Sequence, residues 1–76
     1  MSDRFSKAEA LLILYTKIIE ENEINKDELQ TYLGLNNITF YRYIAEIRKF
    51  LSHHKPEVEL HYRRSNNTYI LKKKEK

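Results

Sequence analysis

Leu33-Gly34-Leu35-Asn36-Asn37-Ile38-Thr39-Phe40-Tyr41-Arg42-Tyr43-Ile44 compresses a helix end, a turn and a new helix start into one short stretch. Gly34 is the only glycine in the chain, and it follows an apolar segment, where a helix exit favours a residue free to take positive φ. Asn36 supplies a side-chain oxygen for the backbone N–H groups that open the next helix. Two helices meeting at a tight corner are therefore expected around Gly34.

Downstream of the corner, Phe40, Ile44, Ile47 and Leu51 recur at offsets that keep them within a narrow arc, the core face of a third helix running from about Asn37 to His53. Ile38, Arg42, Ala45 and Lys49 lie opposite, with Thr39, Tyr41 and Arg48 on the flanks. Pro56 closes the helical region because it disfavours helix at Lys55.

Upstream, Ser6-Lys7-Ala8-Glu9 has the form of a capping box and predicts a first helix from about Lys7 to Glu21. Leu11, Leu14, Tyr15 and Ile18 make its buried stripe. Leu12, Ile13 and Ile19 widen that stripe, and the surplus either packs the wing or forms a dimer contact. Asn25-Lys26-Asp27-Glu28 predicts a second capped start, with Ile24 and Leu29 spaced as a hydrophobic staple and a short helix over about 26–33.

Beyond Pro56 the period becomes alternating. Val58, Leu60 and Tyr62 face one way and Glu59, His61 and Arg63 the other, which predicts a half-buried strand. Ser65-Asn66-Asn67 is a turn cluster in which either Asn can accept a left-handed conformation, and Thr68-Tyr69-Ile70-Leu71 is the returning strand. Three helices followed by a two-stranded β-hairpin give an α+β fold in the winged helix-turn-helix order. A glycine corner of this kind presents its second helix to the DNA major groove.

The 76 residues hold one small core and predict a single domain over 1–76, with 1–5 and 73–76 as flexible tails. Little volume remains for a deep substrate pocket. With no cysteine there is neither a disulfide framework nor a thiolate zinc site, and a 41% hydrophobic composition with six Tyr and three Phe is globular. The apolar run Ala8–Tyr15 is too short to span a bilayer and lacks signal-peptide flanks, so a cytoplasmic, membrane-free protein is the expectation. The formal charge of +3 is unevenly spread: residues 1–36 carry four basic and seven acidic side chains, residues 37–76 ten basic and four acidic. A segregated positive half suits a polyanion, since neutralising phosphates releases counterions.

The same residues resemble a known family, the small winged helix-turn-helix domains at the N-terminus of bacterial transcriptional regulators such as the DeoR group. The likeness runs from about Leu11 to Leu71. That family's corner tends to read as a hydrophobe, a capping Ser, two variable residues, Thr, a hydrophobe, a variable residue, Arg, a variable residue and a hydrophobe. Leu35, Asn36, Asn37 and Ile38, Thr39, Phe40, Tyr41, Arg42, Tyr43 and Ile44 occupy those places, and Tyr69-Ile70-Leu71 matches its Tyr-x-Leu wing strand. Asn36 replaces the Ser cap with an equivalent oxygen, and Asn66-Asn67 stands where wing glycines are usual. The resemblance implies sequence-specific binding of double-stranded DNA in a bacterial or phage regulator, with the third helix in the major groove and the wing on the backbone or minor groove.

On that reading Arg42 grips guanine acceptors or clamps a phosphate, against the alternative of an ordinary solvated arginine. Asn37 and Ile38 occupy the first turn, where Asn addresses adenine and Ile a thymine methyl, unless Asn37 shares the capping role. Thr39 and Tyr41 offer hydroxyls to phosphate, though Thr39 is equally placed to bond back into its own cap, while Tyr43 fits a boundary position. Arg48 and Lys49 extend the basic surface without specifying sequence. In the wing, Arg63, Arg64 and Asn66 are candidates, although strand alternation turns only one of the two arginines outward.

No catalytic residue, metal site, cofactor or small-molecule ligand is expected. His53, His54 and His61 have no metal-ligand spacing, and neither a nucleophile elbow nor a P-loop occurs. The expected partners are double-stranded DNA and a second copy in a homodimer. The alternative is a protein-interaction module, an antirepressor or assembly subunit, using the apolar face of the first helix.

Overall fold

The structure, a computed structural model, describes residues 5–74. Its elements are α1 (Lys7–Glu21), β1 (Glu23–Asn25), α2 (Lys26–Leu33), α3 (Asn37–His54), β2 (Val58–Arg63) and β3 (Thr68–Lys73). The three helices begin where oxygen caps predict. Ser6 Oγ accepts from the Glu9 N–H at 3.1 Å while Glu9 Oε1 accepts from the Ser6 N–H at 3.2 Å. Asn25 Oδ1 accepts from the Glu28 N–H at 2.9 Å, and Asn36 Oδ1 from the Thr39 N–H at 2.8 Å.

The corner closes as a Schellman turn. Gly34 takes φ 70°, its N–H donates to the Thr31 carbonyl at 3.1 Å, and the Leu35 N–H donates to the Gln30 carbonyl at 3.1 Å. A Cβ added at Gly34 would meet nothing within 4 Å, so the backbone angle alone calls for glycine.

The two-stranded hairpin predicted from the sequence is instead part of a three-stranded antiparallel sheet of order β1-β3-β2. β1 pairs with β3 through Glu23↔Ile70, Ile24↔Tyr69 and Asn25↔Thr68. Three residues are too few to show an alternating period, and β1 exists because β3 offers it a free edge. Asn22 makes the entry possible: it ends α1 in the left-handed conformation at φ 64°, and its carbonyl accepts from the Leu71 N–H at 2.8 Å.

Ala10, Leu14 and Ile18 of α1 face Phe40, Ile44, Ile47 and Leu51 of α3, and Ile24, Leu29, Leu33, Leu60 and Tyr69 complete the core. The buried stripe of α1 therefore runs along Ala10-Leu14-Ile18, while Leu11 and Tyr15, expected within it, sit half-buried on its shoulder. β1 follows α1 directly, and its Ile24 joins the same buried cluster. Of the surplus, Ile13 packs partly against the core and Ile19 is half-buried, whereas Leu12 is 64% exposed.

Three residues that the sequence assigns to tails are held. Phe5 packs on Tyr32, with ring centroids 5.5 Å apart, and Lys73 ends β3 in register with Val58. Lys74 continues the chain by donating its N–H to the Glu57 carbonyl at 2.7 Å. The remaining tail expectation, at 1–4 and 75–76, falls outside the described residues.

Candidate nucleic-acid interface

Core packing of Phe40, Ile44, Ile47 and Leu51 fixes the rotation of α3 and turns Ile38, Arg42, Ala45 and Lys49 to solvent. Ile38 is 66% exposed. Arg42 and Lys49 are two turns apart on this face, and among the described residues neither enters an ion pair. The acidic Glu46 lies towards α1, where Lys7 Nζ approaches its Oε2 at 3.0 Å. That pairing keeps a carboxylate off the outward face.

The flank of α3 towards the sheet is less free. Arg48 lies over the Tyr69 ring at 5.9 Å, so its guanidinium is partly committed to the fold. The Tyr69 ring in turn packs tilted against Tyr62, with centroids 4.8 Å apart, and against Phe40 at 6.1 Å. Burial pushes the Tyr69 hydroxyl above its ordinary 10.0, and the neighbouring Tyr41 adds to this, Arg48 opposes it and Tyr62 adds again. Tyr43 packs partly into the core, as its boundary position predicts.

Thr39 is half-buried, and it is its backbone N–H that Asn36 caps; the hydroxyl has no hydrogen-bond partner among the described residues. Asn37 is exposed but engaged. Its Oδ1 accepts from Lys26 Nζ at 3.4 Å, a contact between the first turns of α2 and α3. The same ammonium lies 5.5 Å over the Tyr41 ring and 3.8 Å from Asp27 Oδ1. Lys26 is only 9% exposed and was not singled out by its sequence context, because its reach to α3 exists only once the corner has folded.

The hairpin tip does not project freely. Asn67 sits in the turn at φ 52°, its carbonyl accepts from the Lys26 N–H at 2.8 Å, and its Oδ1 accepts from the Tyr62 hydroxyl at 2.7 Å. Arg63, Arg64 and Asn66 are all exposed around this anchored turn. Both arginines face solvent because the strand ends at Arg63 and alternation no longer governs Arg64. The Asn66 side chain is open, while its carbonyl accepts from Thr68 Oγ1 at 3.1 Å.

Neither a family profile, a characterised protein nor a solved structure matches this chain. The likeness to DeoR-type domains accordingly rests on the residues themselves.

Elsewhere the chemistry is sparse. Among the described residues no group of three or more His, Cys, Asp or Glu is placed to hold a metal ion. His61 Nε2 lies 2.7 Å from Glu59 Oε1 and His54 stacks on Phe50 at 4.5 Å. No described helix is long and apolar enough to cross a membrane. An open groove of about 320 Å³ runs between α1 and α3, lined by Leu11, Leu12, Tyr15, Ile47 and Phe50 with Glu46 at its rim.

Proposed function

We propose that this chain is a winged helix-turn-helix module that binds double-stranded DNA sequence-specifically and serves transcriptional regulation in the cytoplasm. The observation that carries the reading is the outward face of α3: Ile38, Arg42 and Lys49 point away from the core beside a hairpin that exposes Arg63 and Arg64. In this reading α3 enters the major groove, Arg42 meets guanine or phosphate, and the hairpin arginines follow the backbone. Phosphate contacts from Lys49, Arg48, Arg63 and Arg64 supply affinity, and Asn37, Ile38 and Arg42 supply sequence preference. One module of this size covers little DNA, so two copies on neighbouring half-sites provide the specificity one lacks.

The test is selection of bound duplexes from a random pool, followed by titration of the winning sequence against Arg42→Ala, Arg48→Ala and Lys49→Ala. A selected motif whose affinity falls in these variants supports the reading. Unchanged affinity in all three at moderate salt refutes the docking.

A second reading draws on exposed Leu12 and the apolar groove beside Phe50, a surface suited to a protein partner. Retention on heparin or non-specific DNA against a salt gradient separates the two. Weak retention together with a stable hetero-complex favours an antirepressor or assembly subunit.

A further inference from the structure

We infer that Lys26 is a positioning residue that holds the Asn37 oxygen and so turns the N–H donors of the amide towards a bound base, favouring guanine at the position Asn37 faces. The inference rests on the DNA-binding reading above.

A lysine ammonium has three donors and no acceptor, so the atom of Asn37 lying 3.4 Å from Lys26 Nζ is the oxygen. That fixes the orientation of an amide which is otherwise free to flip. The ammonium is itself held: the Lys26 backbone N–H is bonded to Asn67, the side chain is nearly buried, and the charge rests over the Tyr41 ring. Moving it away from Asn37 to accommodate a base would cost these contacts and the 3.8 Å approach to Asp27 Oδ1.

With Oδ1 taken by Lys26, Nδ2 is the end of this exposed side chain left for a base at the first turn of α3. Pairing an asparagine with adenine needs both ends of the amide, Oδ1 accepting from N6 and Nδ2 donating to N7. Lys26 competes for the first of these. Guanine presents two acceptors, O6 and N7, to the outward N–H groups, where adenine and thymine present one each and cytosine presents only a donor.

The test compares the full chain with Lys26→Met, Asn37→Ala and Asn37→Asp, selecting each from the same random duplex pool. Asn37→Ala identifies the base position, as the one whose preference relaxes. Wild type is expected to favour guanine there, and Lys26→Met, which keeps the aliphatic stem but frees the amide, to shift the preference towards adenine by about fivefold or more. Asn37→Asp retains an acceptor for Lys26 but no donor, so it loses the guanine preference even where Lys26→Met fails to fold.

A uniform loss of affinity in Lys26→Met with an unchanged motif makes Lys26 a phosphate contact only and overturns the inference. So does an Asn37→Ala variant that relaxes no position. If wild type selects no motif, the DNA reading fails first and the inference falls with it; a motif indifferent to Lys26 sinks the inference alone.

Discussion

Asn67 Nδ2 donates to Asp27 Oδ2 at 3.2 Å, joining the β2–β3 turn to the first turn of α2 across 40 residues of chain. The Asn67 carbonyl and Oδ1 are engaged at the same time by Lys26 and Tyr62. The hairpin end is thus a fixed shelf beside α3, and Arg63 and Arg64 extend from a turn that the rest of the fold holds still.

This anchoring predicts separable backbone and side-chain costs at Asn67. Asn67→Gly keeps the positive φ and loses the side-chain bonds, a destabilisation of about 1 kcal/mol. Asn67→Ala adds a left-handed backbone penalty of about 1 kcal/mol more. Urea denaturation measures both, and equal effects would mean that the turn relaxes to another geometry.

At Gly34 the expectation is a purely conformational effect. Because a methyl group there meets no atom within 4 Å, Gly34→Ala should destabilise by only about 1–2 kcal/mol, the left-handed penalty, and Gly34→Asn by less. Thermal unfolding of the two variants checks the order. A much larger loss would indicate crowding that the open space around this residue does not contain.

The basic residues of α3 should divide into two classes. Arg42→Ala and Lys49→Ala are expected to weaken DNA binding and to lower the salt slope by about 0.9 for each phosphate contact removed, while leaving thermal stability unchanged. Arg48→Ala should lower both, because the guanidinium over Tyr69 contributes about 0.5–1 kcal/mol to the fold. Anisotropy titrations across a salt series, paired with melting curves, separate them.

Tyr69 gives a pH dependence of defined sign. Its folded pKa lies above the ordinary 10.0, so in the native state the hydroxyl holds its proton to higher pH than in the unfolded chain. The resulting stability is fully present below the unfolded value and is lost as pH rises through the folded one. Unfolding midpoints should therefore fall on moving from neutral pH to above 10.0, and Tyr69→Phe should flatten that fall. A slope unchanged by the substitution would assign the effect to another tyrosine.

Most of what positions α3 was legible because its causes are local. Ser6, Asn25 and Asn36 cap the helices within three residues of themselves, Gly34 ends α2 through bonds to Gln30 and Thr31, and the α3 core residues repeat with the helical period. The interface was less legible. Arg42, Lys49, Arg63 and Arg64 lie exposed as candidates, but Arg48 and Asn37 turn out to be engaged by Tyr69 and Lys26, residues distant in sequence. Tyr62 and Tyr69 stand opposite each other in the hairpin register, a pairing that counting outward from the turn would have suggested.

The sequence by itself determined the three helices, their caps, the glycine corner and the face of α3 that is buried, since each follows from hydrogen bonds and periodicity within a few turns. Only the tertiary structure decided that Glu23–Asn25 becomes a strand, that the hairpin tip is bound to α2, and that Lys26 reaches Asn37. Those contacts join segments far apart along the chain. Their partners meet only after the core has closed, so no local pattern of residues encodes them.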